Sequence, residues 1–164
     1  AIMRGDETES LTPVPRLGDI PELVRGVVAT GLRVDLHSDV PATVVVPDAV
    51  ALVAFRVVQE GLTNVVRHVG TDTSATVALA ATETLLTVTV SDTGEAESRR
   101  DRVAAVSPGS GLGLTGLAER CTALGGTLTA GPLAAGGFSV HAALPLGPMI
   151  STDHLIPAPS EDST

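Results

Sequence analysis

The chain reads as an α/β protein, a two-layer sandwich with helices on one face of a mixed, mostly antiparallel sheet. Three observations predict it. Apolar residues alternate with polar ones near residues 32–36, 75–79, 86–90 and 138–144, as half-buried strands do. Two stretches, a long one from about residue 48 and a shorter one from residue 114, instead carry apolar residues at helical spacing. Turn-forming residues separate the later strands by short connections, which favours hairpins. With 164 residues, 43% of them hydrophobic, the chain holds about one domain's worth of core.

Taken in order, residues 1–16 are polar and rich in proline and acid, and residues 147–164 repeat that composition. Both predict flexible tails around a single domain at 17–146. Asp19-Ile20-Pro21-Glu22 resembles a capping box with proline in the first turn. Ile20, Leu23, Val24, Val27 and Val28 follow at helical spacing, and Gly31 can close the helix. Leu32, Val34 and Leu36 alternate as a strand, and residues 44–46 predict another. Pro47-Asp48 opens a long helix to about Val69. At about 100° per residue, Ala51, Phe55, Val58, Leu62, Val65, Val66 and Val69 gather on one side of it. Arg56, Glu60, Asn64, Arg67 and His68 gather on the other as one polar stripe.

Ala75, Val77 and Leu79 form a strand, and Leu86, Val88 and Val90 its antiparallel partner across Thr82-Glu83-Thr84. Asp92 has the parity of those apolar residues, which puts a carboxylate on the core side of a strand end. Polar partners are required there, because burying a charge without them costs several kcal/mol. Residues 95–108 carry no anchoring hydrophobic pattern and read as a mobile loop where a lid would sit. Leu114, Leu117, Ala118, Cys121 and Leu124 give a helix ending at Gly125-Gly126. A last hairpin then pairs Leu128 with Phe138, Val140, Ala142 and Leu144.

Composition excludes several classes of function. The net charge of −9 argues against a nucleic-acid surface, since phosphate backbones need clustered cations. Only Arg99, Arg100 and Arg102 cluster, and the acids flanking them predict a solvated loop. A single cysteine, Cys121, allows no disulfide within the chain, fits a reducing compartment and reads as core filler. No uninterrupted apolar run approaches ~18 residues, and the best candidate, 48–58, is broken by Arg56. The expectation is a cytoplasmic segment with no secretory signal and no membrane contact of its own, although a longer parent protein could be anchored.

Three short signatures carry chemistry. Glu60 and Asn64, four residues apart on a helix, stand together and can share a cation, the Asn carbonyl being a neutral ligand suited to Mg²⁺. Taken alone, such a pair is more often a solvated helix face. Asp92-Thr93-Gly94 is ordinary turn chemistry, but its carboxylate can also accept from an adenine amine while Gly94 lets backbone approach the flat base. The ladder Gly109-Ser110-Gly111-Leu112-Gly113 opens a helix, where backbone N–H groups and the helix dipole attract phosphate. Residues 111–116 also fit G-x-G-x-x-G, but a polar loop rather than a strand precedes them and no acidic residue stands at the required distance. The chain contains no lysine and hence no P-loop, so phosphates must meet backbone amides, arginine and metal.

The run from Phe55 to His68, FRVVQEGLTNVVRH, resembles the N box of the ATP-binding catalytic domain of bacterial sensor histidine kinases. Val90-Ser91-Asp92-Thr93-Gly94 resembles the G1 box. Residues 111–126, with Gly136-Gly137-Phe138 and Ala143-Leu144-Pro145, resemble the G2 box and closing strands. The resemblance covers about residues 17–146 and is nearest to the nitrate-sensor and DesK-like subfamily, which lacks a separate F box. It implies the Bergerat fold shared with gyrase, the cofactors ATP and Mg²⁺, and transfer of the γ-phosphoryl group to a histidine on a dimerisation domain, then to a cognate response regulator.

By position, the resemblance makes Asn64 the metal ligand and Glu60 the acid near metal and γ-phosphate. Arg67 and His68 face phosphates, Asp92 and Gly94 face adenine, and Gly109, Gly111, Leu112, Gly113, Leu114 and Thr115 form the lid end of the site. Two departures stand out: Ala96 replaces the second glycine of the G1 box, and no phosphoacceptor box precedes the domain. His37, His68, His141 and His154 all lie outside any helical dimerisation hairpin. The same residues leave two further readings: an anti-sigma-factor-like serine kinase, and a nucleotide-responsive interaction module without turnover.

Overall fold

A computed structural model describes residues 13–94 and 113–147. Helix α1 is Ile20–Val28, α2 is Asp48–His68 and α3 is Gly113–Ala123. The strands are β1 (Arg33–Asp39), β2 (Ser74–Ala81), β3 (Leu85–Asp92), β4 (Thr127–Pro132) and β5 (Phe138–Pro145). They form one sheet in the order β1-β2-β3-β5-β4, with β1 parallel to β2 and every other neighbouring pair antiparallel. The α/β class, the mixed sheet and both later hairpins agree with the sequence-based expectation.

Alternation dictates the layers. Val77, Leu79, Val88, Val90, Val140, Ala142 and Leu144 are buried on one face, against α2 and its neighbours, and form the core with Val57, Val58, Leu62 and Val65. This core is nearly all aliphatic, with Phe138 its largest fully buried side chain. Cys121 lies within it, and burial pushes its thiol pKa up, as befits a packing residue. By length and composition alone α2 could cross a membrane. Its apolar side is instead spent on the sheet, as in the core helix of a globular domain.

Several local expectations give way. Asp19 does not cap α1: its backbone is already helical, at φ −87° and ψ −11°, whereas an N-cap residue is extended. Its Oδ2 accepts from the Arg16 N–H at 2.8 Å, closing the 3₁₀ turn Leu17–Asp19 in front of the helix. Gly31 does end the α1 region in a left-handed conformation, φ 108°. Residues 44–46 form no strand. They lie between Pro41 and Pro47, and Val44 N–H bonds back to the Pro41 carbonyl at 3.0 Å; their alternation records only that Val44 and Val46 pack on the core while Val45 is 83% exposed.

The apolar side of α2 is wider than expected and turned toward the polar stripe. Val50, Val53, Ala54, Val57 and Gly61 are buried, whereas Phe55 and Val66 are only half-buried. The helix packs on β3 and β5 below and on α1 and α3 beside it, so it is covered on its flanks as well as on the sheet side. Gly61 packs tightly on β3, where an added Cβ would lie 2.8 Å from the Val90 Cβ.

Candidate nucleotide site

The site is built along α2. Asp92 ends β3 on the core side as its parity requires, and is 3% exposed. Its Oδ1 accepts a hydrogen bond from the Gly94 N–H at 2.9 Å, which locks the carboxylate against the turn that leaves the strand. Gly94 abuts the end of α2, where an added Cβ would meet Val69 Cγ1 at 2.6 Å and Asp92 Oδ1 at 2.9 Å. From the other side Gly137, at φ 88°, lies so close to the Asp92 carbonyl that no side chain fits. That contact lets Phe138 pair with Asp92 in the β3–β5 ladder. Gly94 thus holds the carboxylate of Asp92 while Gly137 packs on its main chain.

At the other end, Gly113 opens α3 directly over Glu60: an added Cβ would lie 2.5 Å from Glu60 Oε2 and 2.8 Å from Oε1. A carboxylate at a helix N-terminus is favoured by the dipole by about 0.3–1 kcal/mol. Beyond it a cleft of about 580 Å³ continues between α2 and α3, lined among others by Arg56, Gln59, Glu60, Thr115, Glu119 and Arg120. Val69, which follows the last residue of α2, is nine residues beyond Glu60, about 13 Å along the axis at 1.5 Å per residue.

The expected residues separate into groups. Glu60, Gly113 and Thr115 come together at the cleft, and Asp92 and Gly94 at the end of β3. Asn64 lies between the two ends on α2; it is 8% exposed, so the polar stripe is not one solvated surface but turns partly inward. His68 is half-buried near Gly94's end, whereas Arg67 is exposed. Leu114 is buried in the core. Gly109, Gly111, Leu112, Ala96 and the expected lid at 95–108 lie outside the described residues.

The family profile for histidine kinase-, DNA gyrase B- and HSP90-like ATPases matches residues 49–148, which contain this whole arrangement. The chain belongs to that family. A curated relative, sensor histidine kinase YxjM of Bacillus subtilis (strain 168), is 32% identical over 117 residues, 71% of this chain and 27% of the relative. The chain therefore spans about a quarter of that relative's length. The fold of these ATPases recurs in the mycobacterial sensor histidine kinase MprB, with a TM-score of 0.54 at 21% identity, covering 80% of this chain and 96% of that one. It recurs again in the blue-light activated histidine kinase EL346 of Erythrobacter litoralis, with a TM-score of 0.55 at 20% identity over 81% and 46% of the two chains.

As a member of this ATPase family the chain is expected to take ATP, and its donor set fits a magnesium nucleotide. Among the described residues there is no cluster of three or more His, Cys, Asp and Glu. Glu60 and Asn64 are oxygen donors on one helix, and Mg²⁺ is usually held by one or two protein groups with phosphates and water. Sequence reasoning assigned no role to Gln59, Glu119 and Arg120 in the cleft, nor to Thr73 and Ser74 beside Thr93. Arg56, one turn before Glu60 on the same helix face, was the available signal for the cleft; the hydroxyl contacts had none, because they join segments about twenty residues apart.

Proposed function

We propose that this chain binds ATP with Mg²⁺ and donates the γ-phosphoryl group to a histidine on a dimerisation domain elsewhere in its parent protein, which passes it to a response regulator. The observation that carries the reading is the buried Asp92 carboxylate, fixed by Gly94 N–H beside the end of α2, with Glu60 of the same helix under the start of α3. Asp92 accepts the adenine amine; Gly94 leaves room for the base. The triphosphate runs along α2 past Asn64 toward Glu60 and the N-terminus of α3, with Gly113 and Thr115 beside it. His68, and Arg67 from the helix surface, face the phosphates, and Gly109, Gly111 and Leu112 complete the lid end.

Glu60 and Asn64 would hold the Mg²⁺, which would supply positive charge to the phosphates. Glu60 and the phosphates are both anionic and both drawn to the same helix end, and a cation held by Glu60 and Asn64 would let them coexist. Transfer forms a bond from the acceptor imidazole nitrogen to the γ-phosphorus as the bond to the β–γ bridging oxygen breaks and ADP leaves. The chain's part is positioning and charge neutralisation. Use of ATP and of an intracellular acceptor puts this segment in the cytoplasm, whatever anchors the parent.

Calorimetric titration with a non-hydrolysable ATP analogue, with and without Mg²⁺, tests the reading. Wild type binds more tightly with metal; Asp92→Asn weakens binding at least about tenfold under both conditions, and Asn64→Ala removes the metal's benefit. Absence of binding at millimolar nucleotide by the folded chain rejects the reading.

A further inference from the structure

We infer that three hydroxyls behind the candidate adenine end, those of Thr73, Ser74 and Thr93, form a clamp that positions Asp92 and so sets the affinity for the base. The inference rests on the ATP-binding reading above and adds a positioning residue, Thr93, for which no nucleotide contact is claimed.

The last pair of the β2–β3 ladder is Ala75 with Asp92. One residue further on, the Thr93 N–H donates to the Ser74 carbonyl at 3.1 Å. The Thr93 Oγ1 then lies 3.1 Å from Thr73 Oγ1, 3.2 Å from Ser74 Oγ and 3.5 Å from the Ser74 carbonyl oxygen. A hydroxyl has one proton and two lone pairs. One assignment uses all of them: Thr93 donates to the Ser74 carbonyl and accepts from Thr73 and Ser74. Thr73 is 8% exposed, so its hydroxyl has little water to replace a lost partner.

The clamp matters to Asp92 because of where Thr93 sits. The bond from Gly94 N–H to Asp92 Oδ1 spans Thr93, so rotation about residue 93 would carry the Gly94 amide away from the carboxylate it fixes. Past the end of a ladder few bonds oppose that rotation, and strand ends fray. The hydroxyls add side-chain bonds at that point, where β2 begins and β3 ends. Affinity gained in this way comes from pre-organisation rather than from a new contact.

Titration with ADP and with the ATP analogue, each with and without Mg²⁺, tests the clamp on the full chain. Thr93→Val is expected to weaken both nucleotides about tenfold, by the same factor with and without metal, while Thr93→Ser returns binding to within about threefold of wild type. Thr73→Val, which leaves the Thr93–Ser74 contacts in place, is expected to cost several-fold, and it carries the test if Thr93→Val lacks a cooperative urea transition. Wild-type affinity in the valine variants, a Thr93→Ser protein as weak as Thr93→Val, or a loss confined to the metal-loaded nucleotide would each overturn the inference. Asp92→Asn in the same series separates the two claims. If it loses binding while Thr93→Val keeps it, only the clamp falls; if the folded wild type binds neither nucleotide, the ATP reading falls and the clamp with it.

Discussion

At the scale of single residues the site is defined by approaches too close for a side chain. Gly113 is the instructive case, because what an added Cβ would meet is the flexible end of Glu60 rather than backbone. The carboxylate can swing aside, and alanine is the better helix former by roughly 0.5–1 kcal/mol. Gly113→Ala is therefore expected to leave the melting temperature unchanged or slightly raised while weakening ATP·Mg²⁺ binding several-fold, since Glu60 must leave the helix end. Thermal unfolding and titration of the same sample check it; a parallel fall in both would mean that Gly113 serves the fold. The glycine was legible in the sequence as part of a ladder. Its partner was not, because nothing in the spacing of residues 60 and 113 says that α3 begins over Glu60.

Among the elements, α2 and β3 carry the site, and the distance between them is set at Gly61. The Val90 Cβ, which an alanine methyl would meet at 2.8 Å, is rigidly attached to the strand and cannot rotate away. The helix-propensity gain of about 1 kcal/mol is outweighed by an overpacking cost of about 1–3 kcal/mol, and by movement of a helix whose neighbouring turn holds Asn64. Gly61→Ala is expected to lower the free energy of unfolding by about 1–2 kcal/mol in urea titrations and to weaken nucleotide binding; unchanged stability would show that α2 can lift without loss. Helix and strand identities were readable here because their periods differ. The facing of α2 was less so: Val50, Val53 and Val57 on one flank are as apolar as Phe55 and Val66 on the other, and only the sheet and flanking helices decide which flank is covered. Residues 44–46 mimicked a strand for a related reason, since alternating burial needs no pairing partner.

For the whole molecule, the layering separates the histidines of the sheet from the candidate nucleotide site. His37, Ala78, Thr89, His141 and Thr129 stand in one cross-strand row on the face of the sheet away from α2, and His141 Nδ1 lies 2.9 Å from Thr89 Oγ1. Asp92, Glu60 and Asn64 belong to the opposite, helix-covered side, so the sheet itself stands between these two imidazoles and any γ-phosphate bound there. His68 shares α2 with Asn64, and its Nε2 is buried. The fourth histidine, His154, lies outside the described residues. The chain incubated alone at micromolar concentration with labelled ATP·Mg²⁺ is therefore expected to acquire no acid-labile, base-stable phosphate, and His154→Ala tests the folded part by itself. Label retained by that variant and mapped to His37, His68 or His141 would mean that the two faces communicate between copies, and the acceptor would then not need a separate domain. An unlabelled chain that still binds nucleotide through Asp92 would have the property expected of a donor domain, since His37 and His141 stand across the sheet from the candidate site and the acceptor histidine would come from elsewhere.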